Sequence, residues 1–157
     1  MSRYDWLLFL HVTGAFLVIG GAVVAAVLNI AAQGRERPSE VALLLRLARP
    51  AVIAVSVGML MTLGFGIWLV FEVNYDWSDT WIILALVLWV LAGVTGDRGG
   101  RRDRETRELA ERWANEGDEP RPELRARLRD PLSLGLSYAS GLIVLAILGL
   151  MIWKPGA

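Results

Sequence analysis

One histidine, His11, and no cysteine occur in the 157 residues of the chain. His11 lies in "FLHVTGAFLVIGG", Phe9–Gly21, where no other side chain ionises. An imidazole in an apolar run has three chemistries open to it. It can be the axial ligand of a five-coordinate haem or a related redox cofactor. It can complete a site shared with a second copy of itself across a dimer axis. It can also stay neutral and bond a backbone carbonyl of its own or a neighbouring helix. The residue types leave all three open. The lack of cysteine removes disulfides, thiolate ligands and a thiol nucleophile. No acid or lysine lies in the apolar blocks to serve as a proton carrier or a second metal ligand, so a multi-ligand non-haem centre and a carboxylate-driven proton route are disfavoured.

The elements that must position His11 are long and apolar. Hydrophobic residues make up 55% of the chain. They collect in four blocks, residues 6–32, 50–71, 80–96 and 131–153, separated by polar connections. A helix needs about 20 apolar residues, with a range of about 17–25, to cross the hydrocarbon of a bilayer. Strand-like alternation is absent, which argues against a membrane β-barrel. The fold class expected is therefore all-α, a polytopic membrane protein forming a single antiparallel four-transmembrane-helix bundle over residues 1–157. The first block exceeds the roughly 7–15 residues of a signal-peptide core, so it is read as a retained helix.

Orientation follows from charge. Fourteen of the sixteen Lys and Arg residues fall in segments 33–49 and 97–130. The positive-inside rule places those segments in the cytoplasm and both termini outside, in an inner (plasma) membrane. Tyr4, Trp6, Trp68, Tyr75, Trp77, Trp81 and Trp153 fall near the opposite boundary and read as an interfacial belt. Trp89 lies deep in the third block and is assigned to helix packing or a pocket wall. By depth, Gly66 on the second span is one of the residues facing the level of His11, which is about 9 Å inside the membrane edge.

The segment 97–130 is charged and partly helical, with i,i+4 ladders such as Asp103/Arg107/Glu111. "GDRGG" at 96–100 reads as the unravelling end of the third span. Acids neutralise the arginines of this segment, so no nucleic-acid partner is expected. Small residues recur at four-residue spacing: Gly21/Ala25, Gly58/Thr62/Gly66, Ala92/Gly96, and Ser133/Ser137/Gly141. In lipid such faces let helices approach closely. They also support a second functional reading, a non-catalytic scaffold or accessory subunit that binds itself or other membrane proteins.

"LLFLHVTGAFLVIGG", "RLARPAVIAVSVGMLMTLGFGIWLV" and "WSDTWIILALVLWVLAG", followed by a fourth span, together resemble a bacterial family of predicted four-helix integral membrane proteins of unknown function. That family is distantly similar to the membrane part of copper-resistance protein D and to HemJ-type protoporphyrinogen oxidases. In the HemJ-type enzymes a first-helix histidine and a third-helix lysine are associated with haem and catalysis. The resemblance implies His11 as a cofactor-binding residue and haem as the cofactor, and the third span here contains no lysine.

Overall fold

The computed structural model describes residues 2–156, apart from the side chains at 133 and 134. Six helices follow in order: α1 Arg3–Gln33, α2 Pro38–Leu47, α3 Arg49–Val73, α4 Thr80–Asn115, α5 Pro122–Leu128 and α6 Pro131–Trp153. The described residues contain no strand. Four helices, α1, α3, α4 and α6, are long and apolar enough to cross a membrane. The chain is an all-α polytopic bundle. Their apolar side chains point outward as a bilayer requires: Phe16, Leu60, Tyr138 and Trp153 are 69–81% exposed.

Two helix pairs carry the most extensive packing, α1 with α3 and α4 with α6. The first pair is joined by glycines. A methyl at Gly58 would stand 2.5 Å from the carbonyl oxygen of Gly14, and one at Gly14 would stand 3.0 Å from the carbonyl oxygen of Gly58. One at Gly21 would stand 2.7 Å from the carbonyl oxygen of Ala51. Backbone therefore lies on backbone along this seam, which the van der Waals attraction of helices in lipid rewards. The small-residue face of α6 differs from expectation. A methyl at Gly141 of this stripe would meet nothing within 4 Å, whereas Ser137 lines a cavity shared with α1, α4 and α5. Ser133, of the same stripe, lies outside the described side chains.

The two ends of the bundle are built differently. At the aromatic end, Val70, Trp81 and Ile82 form a small core with Tyr75, Leu86 and Met151. Trp81 is buried there and is not part of an interfacial belt. At the arginine-rich end the helix does not unravel at Gly96–Gly100. α4 continues for 36 residues to Asn115, roughly 54 Å at the helical rise. Each glycine in a helix costs about 1 kcal/mol relative to alanine. The core beyond these glycines, of the kind found in water-soluble proteins, offsets that cost, while the exposed Arg101–Asp97 pair at 2.7 Å adds little. In that core Val41, Ala42 and Leu45 of α2, Ala110 of α4, Leu124 of α5 and Ala32 of α1 are buried together. Trp113 packs against this cluster, and the Arg121 guanidinium lies 4.9 Å over its ring. The segment 97–130 is thus a folded cap, more than a solvated run. α2 runs almost directly into α3, since Ala48 between them keeps helical dihedrals and Pro50 follows.

The loop after α4 closes the cap. Asp118, in the left-handed region at φ 53°, accepts hydrogen bonds from the backbone N–H (2.7 Å) and the hydroxyl (2.6 Å) of Ser39 in the first turn of α2. These bonds, to the hydroxyl first and then to the backbone, hold the Asp118 carboxyl below the ordinary value of 3.8.

Two outcomes follow from this packing. Gly58→Ala should destabilise the detergent-solubilised protein by about 1–3 kcal/mol, the usual cost of overpacking. Gly64→Ala, where a methyl meets nothing within 4 Å, should be neutral or stabilising by up to about 1 kcal/mol; thermal unfolding of both variants makes the check. Because the folded pKa of Asp118 is depressed, its contribution is full above the unfolded value and lost as pH falls through the folded one. Relative to the intrinsic amide rate at each pH, hydrogen exchange at the first turn of α2 should therefore accelerate below about pH 4 in the wild type. In Asp118→Ala it should already be fast at neutral pH.

Candidate functional site around His11

α1 and α3 place His11 against a gap in the α3 surface. Gly66 has no side chain, and a methyl there would stand 3.0 Å from Cε1 and 3.2 Å from Nδ1 of the imidazole. The gap exposes the carbonyl oxygen of Thr62, one turn earlier on the same helix. Nδ1 of His11 lies 2.9 Å from that oxygen. A carbonyl only accepts, so Nδ1 carries the proton and donates, and the ring is held as its Nδ1–H form. Nε2 is then the nitrogen with the free electron pair. No described residue bonds it, and it is not one of the fully buried unpaired polar atoms, of which Trp81 Nε1 is the sole example among the described side chains.

The same stretch of α3 receives a second side chain. Nε1 of Trp89 on α4 donates to the carbonyl oxygen of Met59 at 3.2 Å, and the hydroxyl of Thr62 donates to the same oxygen at 3.0 Å. Two neighbouring carbonyls of α3, three residues apart, are thus tied to α1 and to α4. Sequence reading placed Gly66 level with His11 but missed Thr62 as the acceptor and Met59 as the partner of Trp89. Both acceptors are backbone atoms, which no residue letter signals; glycine four residues after Thr62 is the available hint.

The group this arrangement could offer to a cofactor is a single nitrogen, Nε2 of His11. Ligating imidazoles usually donate their other N–H to a carbonyl or carboxylate, which fixes the tautomer and the ring plane. His11 has this arrangement, with the Thr62 carbonyl in the outer role. Other donors are turned elsewhere. Met61 packs its Cβ beneath Gly14, Met59 directs its methyl towards Gly93 on α4, and Met151 belongs to the core at the aromatic end. Among the described residues no three His, Asp or Glu converge on a metal position. The α1–α3 seam is too close to admit a macrocycle between those helices. Nε2 of His11 is therefore the one nitrogen that could hold such a group, and no second ligand converges with it among the described residues.

A family model described as a predicted integral membrane protein (DUF2269) matches residues 5–155. The chain belongs to this family. The match takes in all four spans and the cap of this DUF2269 protein. Neither the curated proteins nor the solved structures contain a significant match.

The lone histidine makes the tautomer directly readable. In ¹⁵N-histidine-labelled DUF2269 protein, long-range ¹H–¹⁵N spectra should show one imidazole protonated at Nδ1. In Gly66→Val the added branches fill the space of the ring, and the signal should move to a tautomer mixture. An unchanged Nδ1–H pattern in that variant would show that the Thr62 carbonyl does not set it.

Proposed function

We propose that this integral membrane protein binds a haem-class redox cofactor through Nε2 of His11, with Thr62 as the outer hydrogen-bond partner that orients the ring. The observation carrying the proposal is the Nδ1 contact to the Thr62 carbonyl at 2.9 Å, which leaves Nε2 as an unpaired electron-pair donor at membrane depth. Ionisable residues at that depth are costly and mark function by default. A bound haem would supply one-electron chemistry; the chain's own part is to hold the imidazole neutral, aligned and shielded on its α3 side. The close α1–α3 seam leaves no room for such a group between those two helices. The proposal agrees with a distant relationship to copper-resistance protein D and the HemJ-type oxidases, while the absence of a lysine from the membrane part of α4 separates this chain from the latter's reaction.

The same proposal sets the protein in a bacterial inner membrane, with both termini outside and segments 33–49 and 97–130 in the cytoplasm. The arginine distribution supports that orientation. A second reading, a non-catalytic scaffold or accessory subunit, has its own support in α6. A methyl at its Gly141 would meet nothing within 4 Å, and a helix of another membrane protein or a homodimer partner would fit against that position.

Visible spectra of protein purified from haem-replete cells separate the two. Cofactor binding predicts a Soret band in the wild type, loss of at least about 90% of it in His11→Ala, and partial loss in Gly66→Val. A wild type without Soret absorbance would sink the haem reading. The scaffold reading predicts instead that Gly141→Leu abolishes crosslinked oligomers or heteromers and that His11→Ala leaves them intact.

A further inference from the structure

At the arginine-rich end a cavity of about 300 Å³ opens between α1, α4, α5 and α6. It lies beside Asn29 and Gln33, where the apolar block of α1 ends, which is the depth of lipid headgroups. Its most protected group is Thr106, 7% exposed, whose hydroxyl has no partner among the described residues. One turn earlier on the same face of α4 stands Asp103. Its carboxylate accepts from the Asn29 amide at 3.2 Å, while that amide also donates to the Ala25 carbonyl. The sequence ladder pairs Asp103 with Arg107, yet Arg107 reaches Glu111 at 3.6 Å and leaves Asp103 without a cation within 4 Å among the described residues.

Arg102 is bound to Asp130 at 2.6 Å on the rim. Arg127 from α5 and Glu105 from α4 stand at the mouth and are both exposed. With the rim pair cancelled, two carboxylates face one guanidinium, so the cavity has an unbalanced negative charge. A carboxylate withdrawn from water without a cation loses hydration and gains nothing in return. Completing it requires a donor-rich positive group. Asp103, the Thr106 hydroxyl and the Asn29 side-chain oxygen offer three acceptors, the number of N–H donors on a primary ammonium. A metal ion fits less well, since no three His, Asp or Glu converge among the described residues.

We propose that this cavity is a binding site for a primary ammonium group, seated on Asp103 and Thr106, with Arg127 at the mouth able to meet an acidic group on the same molecule. Two sources carry that chemistry, the headgroup of an aminophospholipid and a small free amine. A quaternary ammonium of similar size lacks the N–H donors and is rejected.

The full-length protein tests this in two arms. In nanodiscs and by native mass spectrometry, phosphatidylethanolamine should be retained roughly tenfold over phosphatidylcholine, the effect of losing charge-assisted hydrogen bonds. Asp103→Asn should lose this preference, and Thr106→Val should reduce it. In detergent without lipid, ethanolamine should raise the melting temperature where choline does not. A lipid preference without an ethanolamine shift identifies the headgroup as the source, and an ethanolamine shift without lipid preference identifies a free amine. No discrimination in either arm overturns the proposal, as does preferential retention of phosphatidylglycerol or a preference unchanged in Asp103→Asn. Because the ethanolamine–choline comparison uses unaltered protein, poor folding of a variant does not remove the test.

Discussion

Backbone contact between α1 and α3 is the constraint on which the rest of the molecule depends. Lipid tails are as apolar as leucine, so burial from water does not hold spans together, and the spans must touch closely. Gly14 and Gly58 permit that, each lying under the other helix's carbonyl. Once the two axes are this near, an imidazole one turn before Gly14 reaches across to α3. Gly66 clears its path, and the Thr62 carbonyl receives it at 2.9 Å. The histidine bond is thus a consequence of the glycine seam. A wider helix spacing would leave the same imidazole facing hydrocarbon.

Beyond the apolar blocks the solvent changes and so does the force. At the arginine-rich end the hydrophobic effect acts again, and residues there bury apolar surface from water in the ordinary way. The amphipathic α2 presents Val41, Ala42 and Leu45 to the extension of α4, and α5 adds Leu124. That core needs a continuous surface, which is why α4 stays helical through Gly99 and Gly100 despite their flexibility. The cap in turn fixes the start of α3, because α2 and α3 share Ala48 as their junction. The register of the seam is therefore set from both sides, by glycine contacts within lipid and by the cap outside it.

Much of this was legible in the sequence because the bilayer imposes a coarse code. Long apolar blocks and clustered arginines specify spans, and four of them are found. Small residues at four-residue spacing marked Gly58, Thr62 and Gly66 correctly as a packing face. The spacing did not say which stripe positions meet a neighbour within the chain, and Gly141 of α6 does not. Thr62 and Met59 were hidden because their bonding atoms are carbonyls that every residue has. Trp81 resembled its belt neighbours, and only the turn at Asn74, left-handed at φ 57°, brings Tyr75 back over it. Asp103 resembled a member of a surface ladder, whereas the position of α1 turns it towards Asn29.

His11 and Asn29 lie on the same helix, eighteen residues or about 27 Å apart. Both are polar groups on an apolar span, yet they work against different surroundings. His11 is satisfied through Nδ1 by a backbone oxygen inside the bundle. Asn29 spends its amide on Ala25 and Asp103, drawing an acid to the membrane boundary. Coupling between the two would require an element with two arrangements that both sites bias. The seam that joins them is the least able to provide one, because sliding α1 along α3 would drive side chains into the spaces that only glycine leaves. The glycine contacts therefore make α1 a rigid rod with separately adjustable ends, and a ligand at the Asp103 cavity should leave the environment of His11 unchanged.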